Sequence, residues 1–284
     1  MRNLLILGTG RSGTSMVAAL FRHTGAYMGD DLLAARIANP FGFYEDPEIN
    51  ALNGRVIRQM VSRLWTTRLF PRFVHPVHRG EAGVWLSAPW RLTQVTPPAD
   101  ARLKMLGKFA RVPFCLKDPR FSVTLPVWRP YLPPDTRFLV AFRDPQRTVD
   151  SMLREARETL PAPLAVDGHW AGVCWLRTYR RLLHEFSRAG DWLFVHYDDV
   201  IDGTALRAIS NFAETELDPR QLDRSVSRAR PGELRVGRRL GRQCARLYEE
   251  LQARRIADIQ YWACAHRPHR WHPPAAAEPV PVAC

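Results

Sequence analysis

Lysine is nearly absent from this sequence: it occurs only at Lys104, Lys108 and Lys117, although Lys and Arg together number 41. The net charge of +13 therefore rests on arginine. Such a balance suits nucleic acid, an anionic membrane or strongly anionic small substrates. An arginine excess also arises from genomic codon bias, so charge alone names no partner. Long apolar runs near the N-terminus are missing too. The run Leu4–Leu7 is far too short for a membrane span or a secretory signal, and a cytoplasmic protein is the expectation. Cysteine is sparse: Cys115, Cys174, Cys244, Cys264 and Cys284 are scattered, odd in number and without metal-ligand spacing. Reduced thiols and no bound metal are expected. An apolar fraction of 46% over 284 residues still leaves material for a sizeable core.

The most informative absence lies in LLILGTGRSGTSM, Leu4 to Met16. Gly8 and Gly13 have the G-x-x-x-x-G spacing of a phosphate-binding loop. The next position, where nucleoside-triphosphate enzymes carry lysine, is Thr14. Glycines let successive N–H groups turn inward, and the following helix adds unpaired N–H groups of its own. Arg11 stands inside the loop, and Thr14 and Ser15 bring hydroxyls to the helix start. The plain alternative is a tight turn between strand and helix.

Hydrophobic periodicity places short buried strands at 3–7, 112–118, 136–142 and 191–200. Helices are expected from Thr14 to Gly25, after Pro47, across 120–132, from Pro145 to about 160, and over 170–189, 204–214 and 238–264. Residues 62–112 show no nameable period. The proline- and alanine-rich stretch 266–284 reads as a disordered tail. Its His266, His269 and His272 lack carboxylate or cysteine company and read as solvated. Alternating strands and helices predict an α/β fold, a parallel β-sheet flanked by helices, within a single domain over 1–265. Ligands on such sheets bind beyond the carboxyl ends of the strands.

A second cationic element follows the third strand. In RDPQRTVDS, Arg143 falls at a strand end, Asp144 and Pro145 suit a helix start, and Ser151 lies about two turns in. Helical side chains lean toward the N-terminus, so Ser151 and Arg143 can converge on one anion. Two anion sites at two strand ends imply a ligand with two separated phosphate groups. Either residue alone would read as an ordinary surface arginine or helical serine.

With these motifs on the page, the chain resembles the sulfotransferases that use 3′-phosphoadenosine 5′-phosphosulfate (PAPS). GRSGTS at 10–15 is similar to the family's 5′-phosphosulfate loop, and RDPQRTVDS at 143–151 to its 3′-phosphate element. LFVHYDDVIDGTALRAISNFAE, NPFGFYED and LKDPRF resemble further elements. The resemblance implies a P-loop-NTPase-like sulfotransferase fold. It also implies PAPS as co-substrate without a metal, held by Gly10, Arg11, Ser12, Gly13, Thr14, Ser15, Arg143 and Ser151. Arg11 would sit at the departing bridging oxygen, and Lys117 would face the sulfuryl group or simply pair with Asp118. Animal-type members carry a histidine two residues after the strand lysine, where this chain has Pro119. The base must be sought elsewhere: Glu45 is the first choice, with Asp46 and Asp118 as rivals. The alternative for Glu45 is a helix cap or a pairing with an arginine. A small-molecule or glycan acceptor is implied, with no nucleic acid and no membrane span. Trp65, Trp85 and Trp90 are candidates for lining its pocket, and 62–112 for a variable acceptor or lid region. Two rival readings stay open: a P-loop kinase of a small metabolite, and a non-catalytic nucleotide- or nucleic-acid-binding protein.

Overall fold

The computed structural model describes residues 1–34, 42–62, 81–87, 95–159, 166–222 and 236–264. Four strands, β1 (Leu4–Leu7), β2 (Cys115–Lys117), β3 (Arg137–Phe142) and β4 (Trp192–His196), form one sheet in the order β2-β1-β3-β4. All neighbours run parallel, with Leu4 opposite both Cys115 and Arg137, and Phe138 opposite Trp192. Because the first strand lies inside the sheet, its glycine loop emerges between the ends of β2 and β3.

Side chains alternate across each strand, so one apolar run feeds two cores. Leu5, Leu7, Phe138, Val140, Phe142 and Phe194 face one layer. That layer includes α2 (Pro47–Ser62), α3 (Ala99–Phe109), α4 (Phe121–Trp128) and α6 (Gly168–His184). Leu4, Ile6, Leu139, Ala141, Leu193 and Val195 face the other, beneath α1 (Thr14–Ala19) and α8 (Leu206–Ala213). Helices thus cover both faces, as a parallel sheet requires. Helix α5 (Pro145–Thr159) packs on α6 through Val149, Met152, Ala171 and Cys174. The last helix, α9 (Arg238–Cys264), buries Leu240, Cys244, Leu247 and Leu251. It also caps the sheet edge: Asp258 Oδ2 accepts from Phe194 N–H at 2.9 Å, so an exposed strand edge is satisfied by a side chain.

Three expectations need correcting. The first helix stops at Ala19; beyond it Leu20 and Phe21 donate three residues back, to Val17 and Ala18 oxygens, in tightened turns. The fourth strand ends at His196, because Tyr197–Asp202 forms a short helix, α7, whose N-terminus His196 Nδ1 caps by accepting from Asp198 N–H at 3.2 Å. Residues 62–112 are not without regular structure, since α3 lies within them. Its inward positions Ala101, Met105 and Phe109 recur every fourth residue, and Lys108 joins them. Lys108 Nζ meets Asp30 at 2.6 Å, Asp46 at 2.8 Å and Glu48 at 3.0 Å, pinning α3 to the start of α2. The tail at 266–284 lies outside the described residues.

His196 is buried between Asp198 N–H and the Tyr248 hydroxyl, which lies 3.0 Å from its Nε2. Burial is the main cause that lowers its pKa to about 4, with nearby Arg255, Arg147 and Arg143 helping and Asp198 opposing. An unfolded chain binds the proton near pH 6.5 while the native state refuses it until about pH 4. Stability therefore falls as pH drops through that window and is full above it. Melting temperature followed from pH 7 to 4.5 should decline, and His196→Asn should flatten the His-dependent part of that slope.

Candidate active site at the strand ends

The loop after β1 is held from below by hydroxyls. Gly8 N–H donates to Ser122 Oγ at 2.8 Å, and that hydroxyl donates back to Gly8 O at 3.0 Å. Thr9 N–H reaches Tyr179 Oη at 3.3 Å, while the phenol donates to Ala141 O at 2.8 Å. Ser12 turns inward, its hydroxyl donating to Thr9 O at 2.7 Å. It therefore offers a ligand its backbone rather than its side chain. Arg11 has φ 69° and Gly13 φ 95°, consecutive-turn conformations that aim amides outward. The N–H groups of Gly10, Gly13, Thr14 and Ser15 have no acceptor among the described residues. Thr14 is buried at the helix start, and Ser15 Oγ donates to Phe43 O at 3.3 Å.

Arg11 leaves this loop toward α5. Its Nε donates to Ser151 Oγ at 3.1 Å, and its Nη1 lies 3.5 Å from Glu155. The two sequence motifs, 140 residues apart, are thus in direct contact. Arg143 lies just past the end of β3 and is 9% exposed. Its guanidinium is stacked on Tyr197, 4.3 Å from the ring centroid. It has no carboxylate partner among the described residues, and its Nε is buried with no hydrogen bond. Burial, reinforced by Arg147, lowers its pKa below the arginine value. Neighbouring Arg147, by contrast, grips both oxygens of Asp198 at 3.0 and 3.1 Å. The Tyr197 ring also lies where a side chain on Gly13 would have to go, its Cδ2 2.6 Å from an added Cβ. From sequence, Tyr197 enters only as part of a resemblance; its place between loop and Arg143 is a structural finding.

A cavity of about 220 Å³ opens in front of the loop. Gly10, Arg11, Thr14 and Ser15 form one wall, and Glu45, Lys117 and Arg120 another. Arg143 and Ser151 lie outside this lining; Arg11 joins the cavity to Ser151. Trp85 packs against Gly10 and lines the cavity with Phe43 and Leu33, while Trp65 and Trp90 lie outside the described residues.

Lys117 ends β2 and pairs with Glu45 rather than with Asp118. Glu45 Oε2 also accepts from Asn50 Nδ2 at 2.9 Å and lies 3.5 Å from Arg120. Burial by itself raises the Glu45 pKa, but the Lys117 and Arg120 charges outweigh it and leave the group lowered. The two rivals are differently placed. Asp46 caps α2, accepting from Glu48 N–H at 2.8 Å and Ile49 N–H at 3.2 Å, and binds Lys108. The helix-cap role considered for Glu45 thus falls to its neighbour. Asp118 is fully buried beneath Arg120, and burial is the chief cause raising its pKa. Arg120 is a pocket residue that the sequence did not single out; only its place in LKDPRF drew attention to it. Among the described residues no group of His, Cys, Asp and Glu could hold a metal ion, and no helix is long and apolar enough to cross a membrane.

The fold and site together define an α/β protein with a parallel sheet, a glycine loop and cationic groups at the strand ends. No protein-family model matches the chain, and no curated protein matches it. Among solved structures it is similar to a crystal structure described as sulfotransferase STF9 from Mycobacterium avium, at 15% identity and a TM-score of 0.44. That match covers 92% of this chain and 74% of the other.

Gly13 offers a direct check on the loop's construction. Gly13→Ala must adopt a left-handed φ and displace Tyr197, whereas Gly25→Ala, at φ 77° with nothing within 4 Å, meets the backbone penalty alone. The backbone penalty is about 1–2 kcal/mol. Urea unfolding should place Gly25→Ala in that range and Gly13→Ala clearly below it in stability.

Proposed function

We propose that the protein is a cytoplasmic sulfotransferase that moves a sulfuryl group from PAPS to a hydroxyl, less readily an amine, of a small molecule or glycan. The observation that carries this reading is Arg143: a buried guanidinium with no carboxylate in salt-bridge contact among the described residues, stacked on the Tyr197 ring that also packs against Gly13 of the loop. An unpaired buried cation is costly unless a ligand anion completes it. The loop amides supply a second anion site. A donor with phosphates at both ends of one adenosine matches two such corners. A triphosphate substrate matches less well, because Thr14 stands where its lysine would be needed.

In this reading Gly10–Ser15 hold the 5′-phosphate through backbone N–H groups and the Thr14 and Ser15 hydroxyls. Arg143 and Ser151 take the 3′-phosphate. Arg11 meets the bridging oxygen as the sulfur–oxygen bond breaks and the electron pair passes to phosphate. The donor brings an already activated sulfuryl group, so the protein's work is positioning, charge stabilisation and proton removal. The acceptor oxygen forms the new bond to sulfur and gives its proton to Glu45. While Lys117 is paired with it, Glu45 is a weak base. Lys117 turning toward a sulfuryl oxygen would loosen that pair and raise the carboxylate's proton affinity when the acceptor must be deprotonated. Trp85 and Phe43 would give the acceptor an apolar wall.

Calorimetry should show 3′-phosphoadenosine 5′-phosphate binding far more tightly than AMP, with Arg143→Ala bringing the two together. The lost charged hydrogen bonds correspond to roughly 10- to 100-fold. Equal affinities in the wild type would remove the 3′-site. Arg11→Ala should lower kcat by about 100-fold or more if it stabilises the leaving oxygen; wild-type sulfuryl transfer would show that the contact is misplaced.

A further inference from the structure

Beneath the Glu45 wall runs a chain of buried polar groups that joins α2 to α4 and to the end of β2. Asn53, on α2, is fully enclosed. Its Oδ1 accepts from Thr124 Oγ1 and from Trp128 Nε1, both at 2.7 Å. An indole nitrogen can only donate, so the amide orientation is fixed by chemistry: Nδ2 must point the other way. There it donates to Asp118 Oδ2 at 2.8 Å. The other carboxylate oxygen, Oδ1, accepts from Arg120 N–H at 2.9 Å and from Arg120 Nη1 at 3.0 Å. The same Nη1 reaches Glu45 Oε2 at 3.5 Å, and Glu45 Oε1 holds Lys117. Each link leaves the next group one orientation.

We propose that Asn53 is a positioning residue for the reaction site: by fixing the Asp118 carboxylate it fixes the Arg120 guanidinium against Glu45 and the cavity. This rests on the sulfotransferase reading for its link to turnover, but not for its geometry. Two features favour a functional role over plain packing. Asn53, Asp118 and Thr124 occupy a fully buried region where apolar residues of similar shape would be at least as stable. The chain also leads to three cavity-lining side chains, Arg120, Glu45 and Lys117. Arg120 is thereby denied a free swing into the cavity, which keeps the space in front of Glu45 open for an acceptor hydroxyl. Without the Asn53 donor, Asp118 would rotate or take up a proton, and Arg120 would lose its anchor.

Asn53→Asp is the direct test, because it keeps the shape and the acceptor for Trp128 and Thr124 but replaces the donor facing Asp118. Side-chain arginine NMR, with Arg120 assigned through Arg120→Lys, reads the anchor without reference to activity. Resolved, slowly exchanging Arg120 Nη signals are expected in the wild type and their collapse in the variant. Turnover should fall by about tenfold or more, with KM and the affinity for 3′-phosphoadenosine 5′-phosphate within about threefold. Arg120 signals that persist in the variant, or that collapse while kcat stays at the wild-type value, overturn the proposal. Should Asn53→Asp fail to fold, Thr124→Val removes one of the donors that orient the amide and is read the same way. If the wild type neither binds the adenosine bisphosphate nor transfers sulfuryl groups, the donor reading fails by itself, and the Arg120 signals alone then decide whether Asn53 positions that side chain.

Discussion

A positive charge kept largely out of water, with no carboxylate in direct contact among the described residues, is the constraint around which this site is organised. Several other enclosed cations are paired. Lys108 is surrounded by Asp30, Asp46 and Glu48. Arg147 holds Asp198, and Arg120 sits between Asp118 and Glu45. Arg143 has the Tyr197 ring instead. A cation–π contact of this kind returns about 1–2 kcal/mol, less than the several kcal/mol typical of desolvating an ion. Stability alone would favour an apolar side chain there. The unfavourable balance makes sense if an anion completes the site, and the sheet supplies the place for it: β1 and β3 are neighbours, so their carboxyl ends bring the loop and Arg143 side by side.

The two halves of the site differ in charge. On the loop side Arg11 and Arg143 stand with outward-facing amides; Glu155 lies 3.5 Å from Arg11, and the charge of Asp198 acts on Arg143. At the far wall Lys117 and Arg120 face Glu45 and Asp118, two cations against two carboxylates. On the proposed reading a multiply charged donor would be drawn to the first half, and in the second balanced charge would let a proton move without leaving a net charge stranded in a low-dielectric pocket. Glu45 and Asp118 respond in opposite directions to the same surroundings, because Glu45 touches both cations whereas Asp118 is more deeply enclosed and touches one.

The sheet and its helices were legible because burial on both faces leaves continuous apolar strands, and because the long helix 238–264 buries Leu240, Cys244, Leu247 and Leu251 at helical spacing. The positions of the loop and of Arg143 were legible because both follow strands directly, so sequence position translates into a strand end. Helix α3 was not, since its inward face includes Lys108, a residue whose burial depends on three carboxylates from other segments. Nor could the sequence tell Glu45 from Asp46. The difference is that Asp46 spends its oxygens on the first turn of α2, while Glu45 turns toward β2. Such divisions between adjacent residues depend on tertiary partners, and no local pattern records them.

Tyr197 shows how far these local choices depend on one another. Its ring fills the space that a side chain at Gly13 would need, so the loop can close on it only because that position is glycine. The opposite requirement comes from Arg143, which is held in place by stacking on the ring rather than by a carboxylate. The ring stands where it does because β4 ends at His196 and α7 begins at Tyr197, with His196 capping the new helix. Three distant positions, 13, 143 and 197, therefore form one physical unit. A change at any of them would alter the distance between loop amides and strand-end guanidinium, and on the proposed reading the length of anion-bearing ligand the site could span.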